Sequence, residues 1–105
     1  MAAIFSHETP DFIFAAPGAD YKRDRSVVDT PGVRLTVIGV KDYEEGVLAA
    51  REMVEQGVGA IELCAGFGNE GVAKISKAVE GKAVVGAVRF DIHPGLEFKS
   101  GDQIF

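Results

Sequence analysis

The sequence predicts a single α/β domain in which four strands alternate with helices as βαβαβαβ, the strands forming a mainly parallel sheet. Three observations predict it. Apolar runs rich in β-branched residues recur along the chain. Segments with apolar residues at helical spacing lie between them. Glycine, proline, asparagine and aspartate mark the joints.

The first strand is the run Phe12-Ile13-Phe14-Ala15-Ala16, stopped by Pro17-Gly18. In residues 20–29, Tyr21, Val27 and Val28 stand among charges, which predicts a short helix ended by Thr30-Pro31-Gly32. Residues 33–40 read Val, Arg, Leu, Thr, Val, Ile, Gly, Val and form the second strand. Asp42 then offers its carboxylate to free backbone amides, and Glu45, three residues on, reaches back as in a capping box. Tyr43, Val47, Ala50 and Val54 make the inward stripe of that helix, which Gly57 closes. A third strand covers about 58–64. Asn69 caps a helix with Val72, Ile75 and Val79 inward and Gly81 at its end, and Lys82 or Ala83 opens a fourth strand that runs through Phe90.

Helical crossovers of this length join parallel strands with right-handed sense, and strands this apolar are buried on both faces. An open layered sheet of flavodoxin or Rossmann type is the expected architecture, with a (βα) half-barrel as the alternative. Residues 1–10 form an N-terminal extension. Residues 96–105 form an irregular tail carrying Leu96, Phe98, Ile104 and Phe105. Two open sheet edges and that apolar tail predict a homo-oligomer.

Composition excludes several classes of function. A chain of 105 residues with 47% hydrophobic and 26% charged residues builds one core. Its net charge of −5 leaves no basic face for a nucleic-acid backbone, since the only basic cluster, Lys22-Arg23-Asp24-Arg25, carries its own acid. One cysteine, Cys64, cannot form an internal disulfide, which fits a reducing, cytoplasmic setting. No run approaches the ~20 apolar residues that span a membrane, and the first ten residues do not read as a signal peptide.

The chemistry gathers where the third and fourth strands end, the edge at which parallel sheets place ligands. Gly66-x-Gly68-x-x-Gly71 matches the dinucleotide fingerprint between a strand and a helix, with Asp91 twenty residues past Gly71 to take a ribose hydroxyl. Only fourteen residues follow Asp91, too few for a second mononucleotide half. The simpler expectation is an anion cradle, in which Gly66, Gly68, Asn69, Glu70 and Gly71 present helix-start amides to a phosphate or carboxylate. The competing account is that the glycines only permit a tight loop.

Glu62 and Cys64 share one strand face, as do Arg89 and Asp91. A carboxylate inside an apolar strand is either ion-paired or a site residue with a perturbed proton affinity, and Arg89 on the neighbouring strand is expected to pair with Glu62 or with the bound anion. Cys64 beside a helix start is a candidate nucleophile with His93 as its base, although a lone cysteine is more often a small core residue. Asp91 and His93 form a candidate acid–base pair. One residue between them is poor metal spacing, and no metal site is expected.

Taken together, Phe14-Ala15-Ala16-Pro17-Gly18-Ala19-Asp20, Ala60 to Cys64 with Gly66 to Ala73, and Val88-Arg89-Phe90-Asp91 with His93-Pro94-Gly95 resemble a family of small bacterial proteins known only as a domain of unknown function. The resemblance implies a shared site at these loops and brings no activity or cofactor with it. The expected function is binding of a small anionic metabolite at the C-terminal edge of the sheet. A lyase, isomerase or hydrolase using His93, Glu62 or Cys64 is the first alternative, and a non-catalytic structural or regulatory oligomer the second.

Overall fold

In the computed structural model, which describes residues 8–105, the chain is a five-stranded sheet with two helices. The strands are β1 (Asp11–Ala15), β2 (Arg25–Asp29), β3 (Arg34–Val40), β4 (Ala60–Leu63) and β5 (Val84–Ala87). The helices are α1 (Tyr43–Glu55) and α2 (Asn69–Ala78). Most of the expected N-terminal extension, residues 1–7, lies outside the described residues. Glu8 and Pro10 prolong β1 beside β3, with Glu8 accepting from the Arg34 amide at 2.8 Å.

The sheet order is β2-β3-β1-β4-β5, and only β2 runs antiparallel to its neighbour. The expected four-stranded sheet and βαβαβαβ order are therefore corrected to five strands in the order βββαβαβ. The difference lies in residues 20–29, expected to be a helix. The Asp20 carboxylate takes the amides of Lys22 and Arg23 at 2.9 and 3.1 Å and so closes a turn in place of a helix. Residues from Arg25 onward then pair with β3, Val27 opposite Thr36 and Asp29 opposite Arg34. The hairpin is closed by Thr30, whose amide donates to the Val33 carbonyl at 2.8 Å.

This hairpin determines how the sheet is covered. The two crossovers, β3-α1-β4 and β4-α2-β5, advance in the same direction and share a hand, so both helices lie on one face. There Ile13, Ile38, Val40, Ile61 and Leu63 pack with Val47, Ala50, Met53 and Ile75. The opposite face carries Phe12, Phe14, Leu35, Val37, Glu62 and Val84 by strand parity. No described element covers it. A layered sheet of flavodoxin or Rossmann type has helices on both faces. Here the connection that would supply the second layer, from β1 to β3, is an edge strand.

The caps of α1 refine the sequence reading. Asp42 accepts from the Glu45 amide at 2.8 Å, as expected. Glu45 does not reach back to the Asp42 amide. Its Oε1 accepts from Lys41 at 3.1 Å and from Tyr21 at 3.0 Å, tying the helix start to the turn before β2. Gly57, at φ 95°, ends the helix in a conformation that suits glycine.

One buried polar group stands out. Asp11 is fully buried on the helix-covered face, and neither carboxylate oxygen has a hydrogen-bond partner among the described residues. Burial pushes its pKa up to about 7, against the pull of the Arg25 charge. Arg25 itself is engaged by Glu52 at 2.7 Å.

Candidate functional site

The parallel strands wind from β1 to β3, then back across β1 to β4 and on to β5. The reversal falls at the carboxyl ends of β1 and β4, the edge where open α/β sheets bind ligands. Ala15, Cys64 and Gly66 border it. The chain's own tail covers part of it. Residues 96–105, expected to be irregular, take in the end of one 3₁₀ turn, Pro94–Leu96, and all of a second, Gly101–Gln103, and fold back over the glycine loop.

The contacts explain two glycines of the fingerprint, Gly68 and Gly71, and one of the tail, Gly101. A Cβ on Gly101 would lie 1.8 Å from the Gly66 carbonyl oxygen, so tail and loop meet backbone to backbone. A Cβ on Gly68 would lie 2.5 Å from both Asp102 Cγ and Ser100 Oγ, and one on Gly71 would lie 2.5 Å from the Tyr43 ring. The tight spacing that resembles a dinucleotide loop is matched here to the tail and to Tyr43.

At the start of α2 the cap residue is Gly68, and Asn69, expected to be the cap, is the first helical residue. The cap comes from the tail instead. Asp102 accepts from the Glu70 amide at 3.0 Å and from the Gly71 amide at 3.1 Å. Tyr43 donates its hydroxyl to Asp102 at 2.7 Å and accepts from the Gly68 amide at 3.0 Å. Burial alone would raise the Asp102 pKa, but these donors hold it below the ordinary carboxylate value. Burial, with the adjoining carboxylate, pushes the Tyr43 phenol well above its usual range. The helix start therefore does hold an anion, and the anion is Asp102.

Asp102 was missed by sequence reasoning, although a signal was present. Ser100-x-x-Gln103 has capping-box spacing, and the box forms: Ser100 Oγ accepts from the Asp102 amide at 3.1 Å, and the Gln103 side chain accepts from the Ser100 amide at 3.3 Å.

The remaining candidates separate. Arg89 does not pair with Glu62. Register puts Glu62 opposite Gly86, exposed on the uncovered sheet face. Arg89, beyond the end of β5, donates to Asn69 Oδ1 at 2.6 Å and to Asp91 at 2.9 Å. His93 accepts from the Gly95 amide through Nδ1 at 3.0 Å and meets the Phe90 ring edge-on at 5.1 Å. Cys64 is partly buried, with Sγ accepting from the Gly66 amide at 3.2 Å. No hydrogen bond links Cys64, His93, Asp91 and Glu62 to one another among the described residues. These residues also contain no cluster of three or more metal-ligating side chains.

What the arrangement does form is a cleft beside the tail. One lobe, about 240 Å³, is lined by Phe67, Asn69, Val72, Ala87, Val88 and Arg89. A second, about 120 Å³, shares Phe67, Asn69 and Arg89 and adds Gly68, Phe90, Asp91 and Ser100.

Fold and site define a small α/β protein with a single-sided sheet and a tail-capped glycine loop. Residues 8–103 match the family of unknown function DUF6506, and the chain belongs to it. No curated protein and no solved structure matches the chain. No helix among the described residues is long and apolar enough to cross a membrane.

Proposed function

We propose that the protein binds a small anionic metabolite at the C-terminal edge of its sheet, in the cleft between the start of α2 and the extension of β5. The observation that carries this reading is Arg89, a cation held at a cleft floored by Phe67, Val72, Ala87 and Val88. Asn69 and Asp91 fix its guanidinium from two sides. Gly68 lines the polar lobe, while the Glu70 and Gly71 amides behind it serve Asp102. Binding is favoured over chemistry because His93 Nδ1 is engaged by Gly95 and Glu62 lies on the other face of the sheet. The lone Cys64 supports a reducing, cytoplasmic setting.

A thermal-shift panel of carboxylates, sugar phosphates and nucleotides tests the reading. A ligand at one hundred times its Kd stabilises the folded state by about 2.7 kcal/mol, and Arg89→Gln should abolish the shift. A panel with no shift, or shifts that persist in Arg89→Gln, would exclude the cleft.

The uncovered sheet face supports assembly with a second copy of the chain. Five strands about 4.8 Å apart, with a rise of about 3.3 Å per residue, make a face of roughly 24 by 17 Å. Two such faces present about 800 Å² in plan, the scale of a weak or transient interface. Val28 and Val84 on this face are 55% and 70% exposed, and Glu62 is its one charge within the strands. The tail is not the covering device, because Phe105 packs against Tyr43 of its own chain, ring centroids 6.3 Å apart. Light scattering should return a dimer for the intact chain and a monomer for Val84→Asp. A monomeric parent, or a dimer unaffected by the substitution, removes the proposal.

A further inference from the structure

We propose that the Arg89 cleft is selective for a monocarboxylate carried on a compact apolar body and discriminates against phosphates, an inference that rests on the binding reading above. The one cation lining the cleft is Arg89, and Asp91 already bonds its Nε at 2.9 Å, so its charge is partly offset before any ligand arrives. Of the other source of positive potential, the amides at the start of α2, those of Glu70 and Gly71 are taken by Asp102. Asp91 and Asp102 flank the polar lobe, Asp91 in its lining and Asp102 against Gly68, and Glu70 follows in the first turn of α2. A dianionic phosphate brings a second negative charge against these carboxylates with no second cation to meet it. A carboxylate brings one charge, and its two oxygens suit the planar guanidinium.

Shape separates the classes further. The larger lobe is walled by Phe67, Val72, Ala87 and Val88, and Arg89 and Asn69 stand where it joins the polar lobe. A ligand with its charged end at Arg89 therefore lays its other end on apolar side chains, which gain from an aliphatic or aromatic body and offer nothing to a sugar's hydroxyls. Asn69 and Ser100 remain as neutral groups for the second carboxylate oxygen.

The test is an NMR titration of the intact chain with isobutyrate and phenylacetate against isobutyl phosphate, phenyl phosphate and inorganic phosphate, following the backbone amides of Asn69, Val72, Val88 and Arg89. The carboxylates should shift these amides at concentrations at least about tenfold lower than the matched phosphates, a difference of about 1.4 kcal/mol. Val72→Ser should weaken phenylacetate and leave acetate unchanged. Arg89→Gln, at a side chain that is largely exposed, should remove the shifts while the rest of the spectrum keeps its dispersion. Phosphates that bind as tightly as their carboxylate counterparts, and lose binding in Arg89→Gln, would overturn the selectivity and leave the anion cleft standing. If neither class moves these amides, or if Arg89→Gln changes nothing, the cleft reading fails and the selectivity with it.

Discussion

Tyr43, the first residue of α1, donates its hydroxyl to Asp102 in the C-terminal tail across 2.7 Å, although 59 positions separate them in the chain. The same hydroxyl accepts from the Gly68 amide, so one phenol joins the first helix, the glycine loop and the tail. Its ring lies on Phe67 at 5.4 Å, nearly parallel, which fixes where the hydroxyl can point.

Asp102→Ala should therefore lower stability by about 1 to 2 kcal/mol, the usual cost of losing a helix cap. Tyr43→Phe should cost less, and the double variant should reveal coupling above about 0.5 kcal/mol in chemical denaturation. Because the folded-state pKa of Asp102 lies below its ordinary 3.8, its contribution is complete above that value and is lost as pH falls through the lower one. The parent should lose more stability than Asp102→Asn on acidification below pH 4.

Gly101→Ala should release the tail. The added methyl would meet the Gly66 carbonyl at 1.8 Å, and both partners are backbone, so no side chain can step aside. Hydrogen exchange should show the amides of Glu70 and Gly71 losing protection while those of β1 and β3 keep theirs. Gly68→Val should act in the same way, because its side chain would displace Ser100 and Asp102. Full protection at Glu70 in either variant would contradict the packing.

Asp11 should make stability fall as pH rises. Its folded-state pKa, about 7, lies above the ordinary 3.8, so the folded chain holds a proton that the unfolded chain releases. The contribution is complete below pH 4 and is lost as pH climbs through 7. The gap corresponds to on the order of 4 kcal/mol. Asp11→Asn should flatten this part of the stability profile, and at pH 8 the variant should be the more stable protein in urea.

Glu62 and Arg89 should behave independently. Register places Glu62 against Gly86 on one face, and Arg89 is bonded to Asn69 beyond the strand end. Charge removal at both positions should give additive changes, within about 0.3 to 0.5 kcal/mol. A larger coupling would contradict the register.

Much of the scaffold was legible because its signals are local. Asp11 to Ala15 and Arg34 to Val40 are central strands whose β-branched and aromatic content is explicit, and the Asp42 cap and Gly57 stop of α1 are short-range chemistry. Strand β2 was not legible. Arg25, Ser26, Val27, Val28 and Asp29 lie on an exposed edge, where burial imposes little alternation on the sequence, and charges around Tyr21 imitate a helix face. The Asp102 cap depended on a contact between residues more than thirty positions apart. The Glu62–Arg89 expectation failed on register: Glu62 lies opposite Gly86, and Arg89, three residues further on, has the opposite parity and follows the end of pairing at Ala87.

The place of β1 in the middle of the sheet bears on how the chain assembles. This early strand is hydrogen-bonded on both sides, to β3 and to β4, and its pairing with β4 brings Asp11 opposite Ile61, fifty positions later. The β2-β3 hairpin closes from local contacts, whereas the centre of the sheet waits until β4 has been made and brought back across α1. Until then Ile13 and Phe14 have a neighbour on one side only. Loss of this segment would not trim the sheet at an edge but would part it into two two-stranded pieces, β2-β3 and β4-β5, neither of which is wide enough to persist alone. The slow step in folding is expected to be the seating of β1 between them, and substitutions at Ile13 should slow refolding more than they speed unfolding.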